Sequence, residues 1–443
     1  MFGIRYLGNT HVPHYKETAK SEAINMPPPA EVLLPMVQHI GAPATPIVNV
    51  GDTVKVGQKV GEASGYVSSP VYSSVSGKVT KIEEFLRPDG KRVPAIRIAS
   101  DGEMSVHESV QPPIISSLDD LVTAARESGV VGLGGAGFPL AVKLDVLKKE
   151  TIDTIILNGA ECEPYITSDT RTMLDYTYDI RSGVELLMKH APSVKQYIIG
   201  IEKNKPDAIK KMRETFADMP NLSVKALPPR YPQGAEKVLI YNTVRRVVPE
   251  GKLPSDVNVV VLNITSLAVL GSYCNTGMPL VKRSLTLDGS AVSSPKNIKT
   301  PIGTSIKDVL EFGGGVKGEI GKILLGGPMM GTAAASIDDP VLKTTGAITI
   351  LSPKDSETPE ETACIGCGRC AEACPHLLKP VMYSKALEAG STDEKIKILE
   401  DHKIMLCVEC GSCSFVCPAA RPLVLNNKIA KAEYREYLSK LKK

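Results

Sequence analysis

Eight of the chain's ten cysteines fall in two copies of one spacing, Cys364-x2-Cys367-x2-Cys370-x3-Cys374-Pro375 and Cys407-x2-Cys410-x2-Cys413-x3-Cys417-Pro418. Gaps of two residues let three thiolates converge on three corners of one iron–sulfur cubane. The fourth cysteine, three residues further and followed by proline, is aimed away toward the other cluster. Cys364, Cys367, Cys370 and Cys417 therefore read as one 4Fe-4S ligand set, and Cys407, Cys410, Cys413 and Cys374 as the second.

The same pattern resembles bacterial two-cluster ferredoxins, and it implies a chain that moves electrons. Zinc ribbons use paired Cys-x2-Cys knuckles with four ligands, which leaves the third cysteine and the Cys-Pro of each copy without a role. Disulfides need an oxidising compartment, and residues 1–25 lack the short apolar core of a secretory signal, so a reducing, cytoplasmic setting is expected. Residues 375–406 are longer than the connection in the smallest ferredoxins. The stretch 381–399 carries Ala386, Leu387, Ile396 and Ile398 in a helical pattern broken near Gly390 and Ser391, which predicts a helical ferredoxin-type module.

At 443 residues the chain exceeds one ordinary core, and about 150 residues per domain suggests three or four units. A net charge of +3 is too small to argue for nucleic acid, and aromatics at 5% with no tryptophan offer no stacking platform for single strands. No apolar run approaches the ~18–20 residues that cross a bilayer, so membrane association is expected only through partners. The lysine-rich end, residues 428–443, reads as a solvated terminal helix, with docking to an acidic partner or anionic lipid as the alternative.

Residues 44–83 alternate short β-rich runs with turn signals, as a compact β sandwich does. The phrase Val50-Gly51-Asp52-Thr53-Val54, Gly57-Gln58-Lys59-Val60-Gly61 and Ser76-Gly77-Lys78-Val79 resembles lipoyl and biotinyl barrel-sandwich domains. Those carriers attach their cofactor to a lysine at a hairpin tip. The corresponding tip here, residues 65–72, has no lysine, so a structural or docking relative is expected. From 117 to 267 helix and strand alternate: strands are predicted at 152–157, 197–201, 223–227 and 258–262, helices at 117–128, 206–216 and 235–247, giving an α/β domain with a largely parallel sheet. Residues 283–350 return to β-type composition and predict a small α+β module, and 352–361 read as a linker.

Gly132-Leu133-Gly134-Gly135-Ala136-Gly137-Phe138-Pro139 contains a formal G-x-G-x-x-G. A dinucleotide fingerprint needs a strand before it and a helix opening after it, whereas the preceding segment is helical and Phe138-Pro139 interrupts the exit. Bare glycine backbone can still approach a phosphate or a flat ring. With Lys143, Asn158-Gly159-Ala160-Glu161-Cys162-Glu163-Pro164 and Tyr231-Pro232-Gln233-Gly234-Ala235-Glu236, this loop resembles the flavin and NADH site of the 51 kDa subunit of respiratory complex I. In its specific form it is similar to the C-subunit family of Rnf ferredoxin:NAD oxidoreductase complexes, a resemblance that covers nearly the whole chain.

That resemblance implies a multidomain α/β and β protein: a barrel-sandwich hybrid (1–115), a complex-I-like FMN/NADH domain (116–280), a β-grasp ligand-binding module (281–351) and a twin 4Fe-4S ferredoxin module (352–443). It implies that Gly132, Gly134, Gly135, Ala136, Gly137 and Phe138 cradle FMN, with Lys143 near its phosphate or ring edge and Asn263 on the phosphate side. Asn158, Glu161, Tyr231 and Gly234 join that site. Glu163 and Glu236 correspond to carboxylates on the nicotinamide side, and Glu161 and Glu163 are the implied catalytic pair. NADH then gives hydride to FMN, and single electrons pass through two 4Fe-4S clusters to an iron–sulfur B subunit and integral membrane subunits, at the cytoplasmic face of the membrane. The chain departs from the complex I pattern at Leu133, where that family has arginine, at Ala160 for aspartate and at Cys162 for glycine. Cys162 and Cys274 lie outside the cluster spacings and read as buried thiols. Two other readings stay open: a soluble flavin/iron–sulfur reductase such as a cobalamin reductase, and a non-catalytic electron-relay subunit.

Overall fold

The computed structural model describes residues 9–441; the ends of the first and last expected domains, residues 1–8 and 442–443, lie outside it. Near the amino terminus, two small antiparallel sheets face one another. Glu31–Pro35, Arg92–Ser100, Gly77–Leu86 and Thr53–Val54 form one, and Ala44–Pro46, Lys59–Ala63 and Val71–Tyr72 the other. Alternating apolar residues, among them Val32, Leu34, Val54, Val60, Val79 and Ile96, point inward between them.

The tip at 65–72, which lacks a carrier lysine, is packed into the next domain. Ser69 Oγ donates to the Gly129 carbonyl at 3.1 Å and the Tyr72 hydroxyl to that of Glu127. A lysine from a distant part of the chain closes this contact: Lys343, 1% exposed, donates from Nζ to Ser69 Oγ at 3.1 Å and to the carbonyls of Pro70 at 2.6 Å and Gly129 at 2.8 Å.

The α/β domain holds an all-parallel sheet in the order Leu222–Leu227, Gln196–Glu202, Thr154–Gly159, Val259–Asn263. The central strands are almost wholly buried, as helices on both faces require. The predicted strands all form, within two residues at their ends, and Ser117 and Asp120 make the expected capping box on helix Leu118–Glu127. Thr154–Gly159 is built first, the next two strands add on one side, and Val259–Asn263 adds on the other. Strand order therefore reverses between Thr154–Gly159 and Val259–Asn263, and the crevice beyond their carboxyl ends is where such sheets bind ligands. Asn158 and Asn263 are register partners at that end.

Residues 282–351 form a mixed sheet with helix Ile306–Phe312 over it, and the short strand Ile24–Asn25 from the amino-terminal segment extends its edge beside Lys296–Pro301. No sequence pattern signalled that return. The carboxyl-terminal module is helical: Pro380–Leu387 and Thr392–Asp401 replace one long helix with the break expected at Gly390 and Ser391, and Ser391 caps the second. The two cysteine motifs repeat one local geometry, in which Gly368 (φ +78°) and Gly411 (φ +79°) take left-handed turns that start the short helices Arg369–Glu372 and Ser412–Phe415. The expected terminal helix runs Leu423–Leu441, with one face buried against the cysteine motifs. Among the described residues no helix is long and apolar enough to cross a membrane.

Candidate functional site

The glycine segment is a tight loop that closes on itself. Gly132 N–H donates to the Phe138 carbonyl at 2.8 Å, Gly137 N–H to the Gly132 carbonyl at 3.2 Å, and Val131 bridges Pro139. The segment lacks a preceding strand, as expected, yet a helix, Leu140–Asp145, does open directly after Pro139. Gly134, Gly135 and Ala136 form the exposed crest between buried flanks, and their backbone N–H groups have no hydrogen-bond partner among the described residues. A Cβ on Gly134 would meet Asn263 Nδ2 at 2.6 Å, and one on Gly137 (φ +66°) would meet Thr344 at 2.7 Å. At Gly135 (φ +145°) a Cβ meets no protein atom within 4 Å, so the bare backbone there faces the open crevice. Successive free N–H groups on such a crest suit a phosphate or the polar edge of a flavin, so these residues fit an FMN.

The crest rests on a polar chain of buried and partly buried groups. Asn263 caps helix Ile264–Thr276 by accepting from Ser266 N–H at 3.0 Å, and its Nδ2 donates to Asp169 Oδ2 at 2.8 Å. Thr265 donates to the other Asp169 oxygen at 2.6 Å. The Glu161 carboxylate in turn accepts from the N–H of Asp169 at 2.6 Å and of Thr170, at the start of helix Ser168–Asp175. The structure thus places Glu161 behind the crest, joined to it through Asp169 and Asn263. Burial raises its pKa above the usual carboxylate range, opposed by Lys16.

On the other side of the crevice, Asn158 Nδ2 donates to the Gly234 carbonyl at 2.9 Å, and Gly234 N–H donates to Cys162 Sγ at 3.3 Å. Burial pushes the Cys162 thiol up to about 12, so it stays protonated. Lys143 Nζ lies 3.0 Å from Glu236 Oε1 and donates to the Val261 carbonyl at 3.0 Å, which brings these two expected site residues into an ion pair that the sequence did not signal. Leu133 is 1% exposed and points into the core, so an arginine here would be buried. A cation reaches the loop by another route: Arg283, 2% exposed, donates Nη2 to the Leu133 carbonyl at 2.7 Å. Ala160 is likewise fully buried.

Glu163 and Tyr231 stand where the α/β domain meets the second cysteine motif. Glu163 Oε2 accepts from Met329 N–H at 3.2 Å, Oε1 lies 3.4 Å from the Tyr231 hydroxyl, and burial pushes its pKa up to about 7. Tyr231 OH donates to the Cys410 carbonyl at 2.7 Å. Val12, Tyr231 and Cys410 form a small apolar core with Cys162 and Met329 against it. Lys16, which no pattern singled out, ties this turn down by donating Nζ to the carbonyls of Glu161 at 3.0 Å and Glu163 at 2.6 Å.

None of the ten cysteines is in a disulfide. Cys374, Cys407, Cys410 and Cys413 line one cavity, together with Tyr383 and Asn427. Burial, and then the neighbouring thiols of Cys410 and Cys407, raise Cys374 to about 11; burial and the thiols of Cys407, Cys410 and Cys374 raise Cys413 to about 12. Cys370 is raised by burial first and also feels Cys417. Cys374, the fourth cysteine of the first motif, thus lies with the first three of the second, and Cys417 lies near Cys370 of the first. Among the described residues no three His, Cys, Asp or Glu side chains converge on one point for a single ion. Four thiols around a cavity suit a cubane, whose own edges separate its ligands. Cys364 and Cys367 are exposed, whereas the four thiols of the other set are buried.

Comparison with known proteins agrees with this architecture. Residues 4–103 match the RnfC barrel sandwich hybrid domain, 125–271 the Nuo51 FMN-binding domain, 285–333 the SLBB domain and 360–420 the 4Fe-4S dicluster domain. These define a protein that joins an FMN-binding domain to a 4Fe-4S dicluster domain. The chain is 41% identical to the C subunit of the Na(+)-translocating ferredoxin:NAD(+) oxidoreductase complex of Acetobacterium woodii, over 97% of this chain and 96% of that one. It is 41% identical to the C subunit of the proton-translocating ferredoxin:NAD(+) oxidoreductase complex of Clostridium ljungdahlii, over 86% and 83%, and 36% identical to the C subunit of the ion-translocating oxidoreductase complex of Rhodobacter capsulatus, over 90% and 77%. The chain belongs to this family of C subunits of ion-translocating oxidoreductase complexes. An NAD+-reducing [NiFe]-hydrogenase in the H2-reduced state shares the fold at a TM-score of 0.51 and 15% identity, over 70% of this chain and 61% of that one.

Proposed function

We propose that this chain is the electron-input subunit of an ion-translocating ferredoxin:NAD oxidoreductase, exchanging electrons with NAD(H) at the glycine crest and passing them through two 4Fe-4S clusters. The observation that carries this reading is one continuous arrangement. A crest of free backbone N–H groups lies at the sheet's switch point, and the turn behind it that carries Glu161 also carries Glu163, which meets Tyr231 and through it the backbone of Cys410, one of four cysteines lining a cavity. Bound FMN supplies the conversion no side chain can make, taking an electron pair as hydride and releasing electrons singly.

The chain's residues bind, orient and insulate. Gly134, Gly135 and Ala136 hold the flavin by backbone; Gly132, Gly137 and Phe138 fix the loop; Asn263 and Glu161 brace it from behind. Lys143 with Glu236, and Asn158 with Gly234, shape the opposite wall. Glu163, with a pKa near neutrality, is the carboxyl placed to respond to charge on the nicotinamide side. The crossed sets Cys364, Cys367, Cys370, Cys417 and Cys407, Cys410, Cys413, Cys374 hold the clusters. The same reading divides the chain at 115, 280 and 351, with a β-grasp third module. It sets the chain peripherally at the cytoplasmic face of the membrane, against an iron–sulfur B subunit and integral membrane subunits. Anaerobically purified protein should carry about eight iron and eight acid-labile sulfide per chain, and one FMN; about four iron, or stoichiometric zinc, overturns the assignment.

A further inference from the structure

The terminal helix Leu423–Leu441 does more than cover the ferredoxin-type core. Asn427 and Lys431 lie one turn apart on one face, and both are buried against the second cysteine motif. Asn427 is 1% exposed, and its Nδ2 sits 3.6 Å from Cys407 Sγ and 3.7 Å from Cys413 Sγ. Its Oδ1 has no hydrogen-bond partner among the described residues. Thiolates that ligate iron only accept, so the amide must keep its N–H side toward the sulfurs; the reverse orientation would set a carbonyl oxygen against them. A third donor is close: Ser412, fully buried, has its Oγ 3.4 Å from Cys410 Sγ, and its hydroxyl becomes the donor once that sulfur is ligated. Lys431 Nζ donates to the Cys407 carbonyl, but Glu409 at 3.0 Å offsets its charge. The sulfurs of Cys364, Cys367, Cys370 and Cys417 have no side-chain hydrogen bond of this kind among the described residues.

We propose that Asn427 sets the reduction potential of the cluster held by Cys374, Cys407, Cys410 and Cys413, by donating to two of its ligating sulfurs. The inference rests on the cluster reading above. Reduction adds one negative charge to a cluster. Burial disfavours that charge, while N–H dipoles aimed at the sulfurs favour it, so the amide raises the potential that burial alone would depress.

Redox titration of the full chain, followed by EPR, tests this. A soluble paramagnetic relaxant assigns the two signals, because it broadens the one whose ligands Cys364 and Cys367 are exposed. Asn427→Leu, similar in size but without a donor, should keep about eight iron. It should move the midpoint of the protected cluster alone to more negative values, changing its reduced-to-oxidised ratio on the order of tenfold, about 59 mV for one electron. Should Asn427→Leu assemble that cluster poorly, Asn427→Asp keeps the shape and replaces the donor with a carboxylate oxygen; it should shift the same midpoint further in the same direction. Full iron with the protected midpoint unmoved in either variant overturns the role of Asn427 and leaves the cluster assignment standing. An iron count near four in the unaltered chain overturns the cluster assignment instead.

Discussion

The Tyr231 hydroxyl lies 2.7 Å from the Cys410 carbonyl oxygen and 3.4 Å from Glu163 Oε1, so one side chain touches both the α/β domain and the backbone of the second cysteine motif. Tyr231→Phe removes that bond, worth about 1 kcal/mol net, and leaves a buried carbonyl unpaired. Iron and FMN content should stay full and NADH should bleach the flavin at the normal rate. Transfer from flavin to clusters should slow several-fold in stopped-flow traces. An unchanged second phase means the contact only holds the domains together.

Glu161 braces the helix Ser168–Asp175, whose Asp169 holds Asn263, so Glu161→Gln should act first on stability. Losing a charged acceptor for two N–H groups at a helix start costs about 1–2 kcal/mol. Thermal unfolding should fall by a few degrees and FMN should bind more weakly. A variant with unchanged melting and full FMN that no longer oxidises NADH would place Glu161 in direct contact with the reacting groups.

At Gly135 no protein atom blocks a side chain that the crevice's ligand would contest, although φ +145° strains any residue but glycine. Gly135→Val should release FMN while the separate ferredoxin-type core still assembles both clusters, reducible by dithionite but not by NADH. Gly137→Val, which meets Thr344, should destabilise the loop itself. Full FMN retention by Gly135→Val would mean that the crest is not the cradle.

His39 supports the loop from the barrel-sandwich side, beside Ile40, whose N–H donates to the Gly137 carbonyl at 3.1 Å. Burial, and then Lys343, pull its pKa from 6.5 to about 4. Between those values the unfolded chain binds the proton and the folded chain does not. This contribution is therefore complete above pH 6.5 and is lost as pH falls toward 4, roughly 3 kcal/mol in all. Melting temperature and FMN retention should drop over that window, and His39→Gln should flatten the drop; identical profiles in both proteins would assign the acid lability to other groups.

Much of this was legible in the chain. The cysteine spacing announced the 4Fe-4S dicluster domain because it is a local pattern, and the parallel strands showed as apolar runs because both faces are covered. What stayed hidden depends on distant segments. Lys16 and Lys343 reach their carbonyl partners across more than a hundred residues, and Arg283 supplies the loop contact that position 133 lacks, with no local signal for any of them. Lys431 fell within the stretch read as a solvated helix, because polar residues at one-turn spacing ordinarily mark an exposed face, and Asn427, one turn earlier, drew no reading; here that face meets the second cysteine motif. Glycine packing was also invisible: nothing in the sequence separates Gly134 and Gly137, where a Cβ would meet Asn263 and Thr344, from Gly135, which meets no protein atom.

If electrons enter from NADH at the glycine crest and leave through the cysteine clusters, both steps should be visible in one sample. The most direct measurement is anaerobic mixing of the purified, flavin-loaded chain with NADH, followed by flavin absorbance and by EPR of the frozen mixture. Rapid flavin bleaching is expected, and then the signal of a reduced 4Fe-4S cluster in the same sample. A flavin that NADH leaves oxidised, although dithionite bleaches it, would contradict entry at the crest.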